Sequence, residues 1–268
     1  MPDIPVPADI VSWMHHRSWG SHHLQWHVER LWDALSPEVI AWATSQGWKR
    51  YPVPEGGEGN GLAFLAMHRV MISQLVSAFP QHKALFTGWP QPPTDPKDPN
   101  DPVPGEDDPP LSSDMLAAID RLHTNLTIFD GEDELGRFIE TSFRPFPNEP
   151  RRRSTDRSCG IHNYLHNRFM DQSSPIDIGD PAVNIENSQF WRLHGWIDAR
   201  WSAYRTATGR SDTDAAYLKL LEQAAMHMEP GHGGHRPMAE TLRRPERPTI
   251  PEKVKKDILA TLASRVAQ

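Results

Sequence analysis

The sequence predicts a mainly α-helical fold, and three observations carry that prediction. Apolar and aromatic residues recur at helical spacing in several segments that lack proline. No alternating strand pattern runs beyond a few residues, and the 26 prolines imply long irregular stretches between helices. The 268 residues suffice for one large domain with its own core, and no repeat at solenoid period is present, so residues 1–268 are expected to form a single domain.

Taken in order, residues 1–12 read as an extended, proline-bearing arm. Residues 21–35, SHHLQWHVERLWDAL, lack Gly and Pro and set His23, Trp26, His27, Arg30 and Leu31 at helical spacing, with Ser21 placed to cap them. Ser36 followed by Pro37 is an N-cap with proline at the first helical position, which predicts a helix to about Gln46 that Gly47 ends. Residues 49–61 form a Pro/Gly-rich loop. Residues 62–79 are the most apolar stretch and contain no proline, so they predict a buried helix. Residues 89–110 hold nine prolines and six acids, too little apolar surface to offset chain ordering, and are expected to be a flexible Pro/Asp-rich insertion joining two halves of a bundle. Helices are expected near 112–123, 131–141, 160–170, 187–207, 212–228 and 251–266, with a basic turn at Arg151–Arg153 and a Gly/Pro/His-rich stretch over 229–251.

With 28 Lys plus Arg against 35 Asp plus Glu the net charge is −7, which offers no attraction to a phosphate backbone and disfavours nucleic-acid binding. Cys159 is the one cysteine and forms no intramolecular disulfide. The start lacks a basic and apolar leader pattern, and no uncharged apolar run of membrane-spanning length is evident. A cytoplasmic protein without a membrane segment is expected.

The chain has 14 histidines, and their positions matter more than their number. His23 and His27 are four apart on one expected helix, and His162 and His166 are four apart on another, so each pair shares a helix face and can reach one metal ion. His68 and His194, each inside another apolar helix, can complete the two trios. A single His-x-x-x-His arises readily by chance in such a chain, and His68 could be an ordinary core histidine bonded to a carbonyl. Two pairs, each joined by a histidine whose burial costs desolvation unless partnered, favour metal binding. His227, His232 and His235 form a weaker candidate in a Gly-rich loop, and His15 and His16 fall in the arm. Trp26, Trp32, Trp42, Trp191, Trp196 and Trp201 suit core packing around the site.

These residues resemble a known family. His22-His23-Leu24-Gln25-Trp26-His27 is similar to the HHWHWH signature of the first copper in arthropod-type hemocyanins and prophenoloxidases, and residues 61–68, GLAFLAMH, to their GELFYYMH segment. Residues 161–166, IHNYLH, resemble the LHNxxH of the second copper, and residues 190–198, FWRLHGWID, its FFRLHxxID; tyrosinases share this second half. The resemblance to type-3 copper proteins implies a four-helix bundle core holding a dinuclear metal site, with extra helices and long Pro-rich loops. It implies two copper ions, one on His23, His27 and His68 and one on His162, His166 and His194.

It also implies an oxidoreductase that activates dioxygen to oxidise a small phenol or catechol. Asn163 would be catalytic, helping to orient a proton-accepting water. Phe190 would pack under His194, and Asp198 would pair with a neighbouring imidazole or with Arg192. Glu186 and Glu140 are the candidate carboxylates by proximity in sequence. The chain departs from the family at Asn187-Ser188-Gln189, where Asp-Pro is usual, and at Gly195, where tyrosinases carry a second histidine that would supply a contact or steric wall. Cys159 does not match the thioether-forming cysteine of some relatives. The separate flanking domains of hemocyanin subunits are not evident. Alternatives are a non-catalytic oxygen-binding protein and a mononuclear or zinc-loaded, non-redox member of the same fold. No residue identifies a copper-delivery partner.

Overall fold

In the computed structural model, residues 5–93, 109–140, 160–171, 173–228 and 250–267 are described. Their helices are α1 (Ala8–His16), α2 (Trp19–Arg30), α3 (Pro37–Ser45), α4 (Asn60–Ala78), α5 (Pro109–Thr124), α6 (Glu132–Glu140), α7 (Ile161–Arg168), α8 (Ser188–Ala207), α9 (Ala215–Met228) and α10 (Glu252–Ala267). No strand occurs among the described residues beyond an isolated bridge between Pro5 and Asn187. Most of the expected 89–110 insertion, the Arg151–Arg153 turn, Cys159, His232 and His235 lie outside the described residues.

The N-terminal arm is a correction. Every early proline precedes Ala8, so nothing interrupts a helix from there, and α1 buries Ile10 and Met14. Ser18, at φ 56°, turns the chain sharply and α2 begins at Trp19, so Ser21 lies inside the helix and does not cap it. The helix expected to reach residue 35 ends at Arg30 and passes into a 3-10 turn at Trp32–Ala34. At α3 the expectation holds: Ser36 Oγ accepts from Val39 N–H at 3.3 Å, Pro37 opens the first turn, and Gly47 at φ 82° follows the end.

Helix α4 is buried along most of its length and packs against α6, α8 and α9. By length and composition alone it could cross a membrane; here most of its apolar side chains are enclosed by its neighbours. Its start meets α6 backbone to backbone, since a Cβ on Gly61 would lie 2.2 Å from Asp133 O and one on Gly136 would lie 2.1 Å from Gly61 O. Arg69, next to His68, fastens α4 to α8: its Nε donates to Asp198 Oδ1 at 2.5 Å, an Nη donates to Ser202 Oγ at 2.6 Å, and the guanidinium lies 3.9 Å over the Trp201 ring. Asp198 is therefore taken by Arg69, not by Arg192 or an imidazole. Arg30 and Glu140 form a fully buried ion pair between α2 and α6, and Arg30 also stacks 4.1 Å over Trp26.

At the start of α8, Asn187 Oδ1 accepts from Gln189 N–H at 2.9 Å, so the helix is capped without the family's Asp-Pro. Trp26, Trp191, Trp196 and Trp201 are enclosed in the main core, while Trp32 and Trp42 pack on a smaller cluster. That smaller cluster joins Leu24, Val28 and Leu31 of α2 and its exit to Val39 and Ala43 of α3 and to Val254 and Ile258 of α10.

Gly195 is filled from outside the site. A Cβ there would lie 2.4 Å from Phe86 O and 2.5 Å from Gly88 N, so the backbone of 86–88 occupies the place where a wall had been expected to be missing. Gly195→Ala is expected to destabilise the chain by about 1–3 kcal/mol through overpacking against backbone that cannot rotate away. Gly131→Ala, whose Cβ meets nothing within 4 Å, should change stability far less. Urea unfolding of the two variants beside the parent checks this.

Candidate metal centre

The helices bring all six expected histidines together in two adjacent trios. His23 and His27 project from α2 towards His68 of α4, and His162 and His166 from α7 towards His194 of α8. Within each trio the candidate ligand nitrogens all lie within 4.8 Å of one another. The trios touch, since the His68 and His194 rings stack at 4.1 Å with planes 23° apart. Phe190 packs on His194 at 3.9 Å as expected and also reaches His23 at 5.3 Å, so one ring supports both groups.

Hydrogen bonding decides which nitrogen of each ring faces inward. Nδ1 bonds to Pro181 O in His23 at 3.0 Å, to Phe64 O in His68 at 2.9 Å, and to Asn163 Oδ1 in His162 at 3.0 Å. It bonds to Ile178 O in His166 and to Phe190 O in His194, both at 2.7 Å. An oxygen acceptor requires Nδ1 to carry the proton, which leaves Nε2 of these five rings with a lone pair. His162 and His194 then face each other Nε2 to Nε2 at 3.1 Å, and His23 and His27 at 3.2 Å. Between His162 and His194 this sets two lone pairs against each other, which repel unless a cation lies between them, whereas His27 Nε2 is free to carry a proton and donate it to His23 Nε2. For two imidazoles on one ion at metal–nitrogen distances of ~2.0–2.1 Å, tetrahedral geometry gives an N···N separation of ~3.3 Å. The third member of each trio is equally unsatisfied: His68 Nε2 and His166 Nε2 are buried without a hydrogen-bond partner. The two buried trios can therefore hold metal ions.

Burial pushes all six imidazoles below their ordinary range, His23 and His166 to about 4. Neighbouring histidines lower His27, His68, His162 and His194 further, and Arg30 adds to the effect on His27, His68 and His162. The rings are thus neutral near pH 7, the form that binds a metal.

A cleft of about 260 Å³ opens onto the trios. It is lined by His27, His162, His166 and Asn163 together with Met170, Asp177 and residues of α10 that include Lys256, Leu259 and Leu262. Asn163 borders the cleft while its Oδ1 is occupied by His162, so it positions a ring as well as facing the opening. Neither expected carboxylate faces this cleft: Glu140 is paired with Arg30, and Glu186 accepts from His15 Nε2 at 2.8 Å. The carboxylate present is Asp177, which burial holds above the usual range and which no periodicity in the sequence distinguishes. His15 and His16 close α1 and border a separate cavity of about 340 Å³ with Ser18, Trp19 and Glu186, which contains none of the six histidines.

No protein-family model and no curated protein matches the chain.

The depressed imidazoles make the metal-free fold sensitive to acid. Unfolded histidines take up protons near 6.5, while His23 and His166 in the fold refuse them until about 4. The unfolded state therefore binds more protons between those values, and stability present above 6.5 is lost as pH falls through the window. At ~1.4 kcal/mol per pKa unit each of these two residues contributes on the order of 3 kcal/mol. Denaturant midpoints of the metal-free chain should fall steadily from pH 7 to pH 4.5, and a flat profile would refute the neutral, buried assignment.

Proposed function

We propose that the two trios form one dinuclear copper centre and that the protein is an oxidoreductase using dioxygen to oxidise a small phenol or catechol. The observation that carries this is the contact between the trios: His68 and His194 stack at 4.1 Å, so ions held by the two groups would be neighbours able to act on one small molecule. Imidazole donors suit copper, and three nitrogens per ion leave positions open for other ligands. The choice of copper over zinc rests on the resemblance of residues 22–27, 61–68, 161–166 and 190–198 to type-3 copper proteins.

A copper pair would supply the electron exchange with dioxygen, one molecule of which accepts the electrons and protons of two catechols to leave two quinones and two waters. The protein's own groups then have distinct tasks. Carbonyls of Phe64, Ile178, Pro181 and Phe190 hold four of the rings in one tautomer and orientation, and the Asn163 amide holds His162. Phe190, Phe64 and Trp26 surround the imidazoles and exclude bulk water from their inner faces. The cleft, with apolar Met170, Leu259 and Leu262 beside Asp177 and Asn163, suits a flat ring bearing a hydroxyl, and its opening onto His27, His162 and His166 favours turnover over simple oxygen carriage.

Reconstituted protein is expected to bind two copper ions per chain and to consume oxygen with catechol, while the zinc-loaded form should not. His166→Ala should lower copper content towards one and reduce catechol oxidation by more than about 100-fold. Two coppers without turnover of catechol or monophenol would indicate an oxygen-binding protein, and one metal per chain would remove the dinuclear assignment.

A further inference from the structure

The loop over residues 177–184 serves both trios at once. Ile178 O accepts from His166 Nδ1 at 2.7 Å and, three residues on, Pro181 O accepts from His23 Nδ1 at 3.0 Å, so one short stretch of backbone orients one imidazole in each group. Asn184 lies between them. Its Nδ2 donates to Ile178 O at 3.2 Å, the same carbonyl that His166 uses, and the buried Asn184 amide also lies beside the His23 ring.

The loop is built to hold that shape. Asp177 Oδ1 accepts from the Asp171 and Gly179 N–H groups, both at 3.0 Å, and Asp180 Oδ1 accepts from Ala182 N–H at 2.9 Å. Asn184 N–H returns to Asp180 O at 2.8 Å. On one side the loop rests directly on α2, where a Cβ on Gly20 would lie 2.3 Å from Ala182 O, one turn before His23. On the other side Lys255 of α10 bonds Asp180 Oδ2 at 2.7 Å.

From this geometry we infer that residues 177–184 are a shared clasp for the two metal sites, with Asn184 as its positioning residue and the Lys255–Asp180 pair as its outer tether. The inference rests on the two trios binding metal. It implies that a change in the loop is felt at both ions together, although they draw on different helices and share no ligand. A hydrogen bond that orients a ligating histidine typically contributes 10–100-fold in metal affinity, and here one loop supplies such a bond to a histidine of each trio, with Asn184 holding one of the two carbonyls in place.

The test is calorimetric titration of the full chain with cobalt(II), with the visible absorption of the bound ions monitored in parallel. Asn184→Leu is expected to weaken both binding steps by about 10–100-fold and to change the cobalt spectrum at both, with helix content and melting of the metal-free chain retained. Lys255→Ala, at a partly exposed lysine far easier to accommodate, should weaken both steps by a few-fold and carries the test alone if Asn184→Leu does not fold. Weakening of one step only, or of neither, in a variant that folds overturns the clasp while leaving the metal trios standing. A parent chain that takes up no cobalt, zinc or copper overturns the metal sites themselves and the clasp with them.

Discussion

The structure depends on one constraint: unprotonated imidazole nitrogens facing each other in a buried space. Five rings give their Nδ1 proton to an oxygen of the scaffold, and that commitment turns the remaining lone pairs towards the interior. Left alone, such an arrangement is unfavourable twice over, because the lone pairs repel and burial resists the protons that would relieve them. The surrounding helices must therefore hold a geometry that the histidines by themselves would abandon.

They do so by direct joints instead of by apolar packing alone. Helices α4 and α6 meet at Gly61 and Gly136 with no side chain between them, and α8 accepts the 86–88 backbone at Gly195. Arg69 ties His68's helix to His194's helix through Asp198 and Ser202, and the Arg30–Glu140 pair ties His27's helix to α6. Buried ion pairs of this kind add little net stability, yet losing one partner strands a charge, so they fix relative helix positions strongly. Metal ions held by histidines from four helices would need such fixed distances more than extra stability.

Much of this is legible in the sequence, and for identifiable reasons. The His23/His27 and His162/His166 pairs and the Ser36-Pro37 helix start are set by the 3.6-residue period and by cap chemistry, both local properties. His68 and His194 can be placed because their helices are long and apolar, although which atoms they present cannot. The backbone carbonyls of Ile178 and Pro181 leave no signature in residue identity, and Asp177 joins the cleft only through tertiary folding. Asp198 points to the wrong arginine in sequence because its true partner lies 129 positions away. The helix at Ala8–His16 is obscured by the prolines that precede it, and Gly195 reads as an opening because a close backbone approach cannot be seen in one residue.

Asn163 carries two duties on one short side chain. Its amide steadies His162 from one direction and borders the cleft from another. The orientation of one ring of the second trio and part of the polarity of the cleft therefore rest on a single side chain. A substitution at that position alters the lining of the cleft and the seating of the His162 imidazole together, and neither can be changed by itself there.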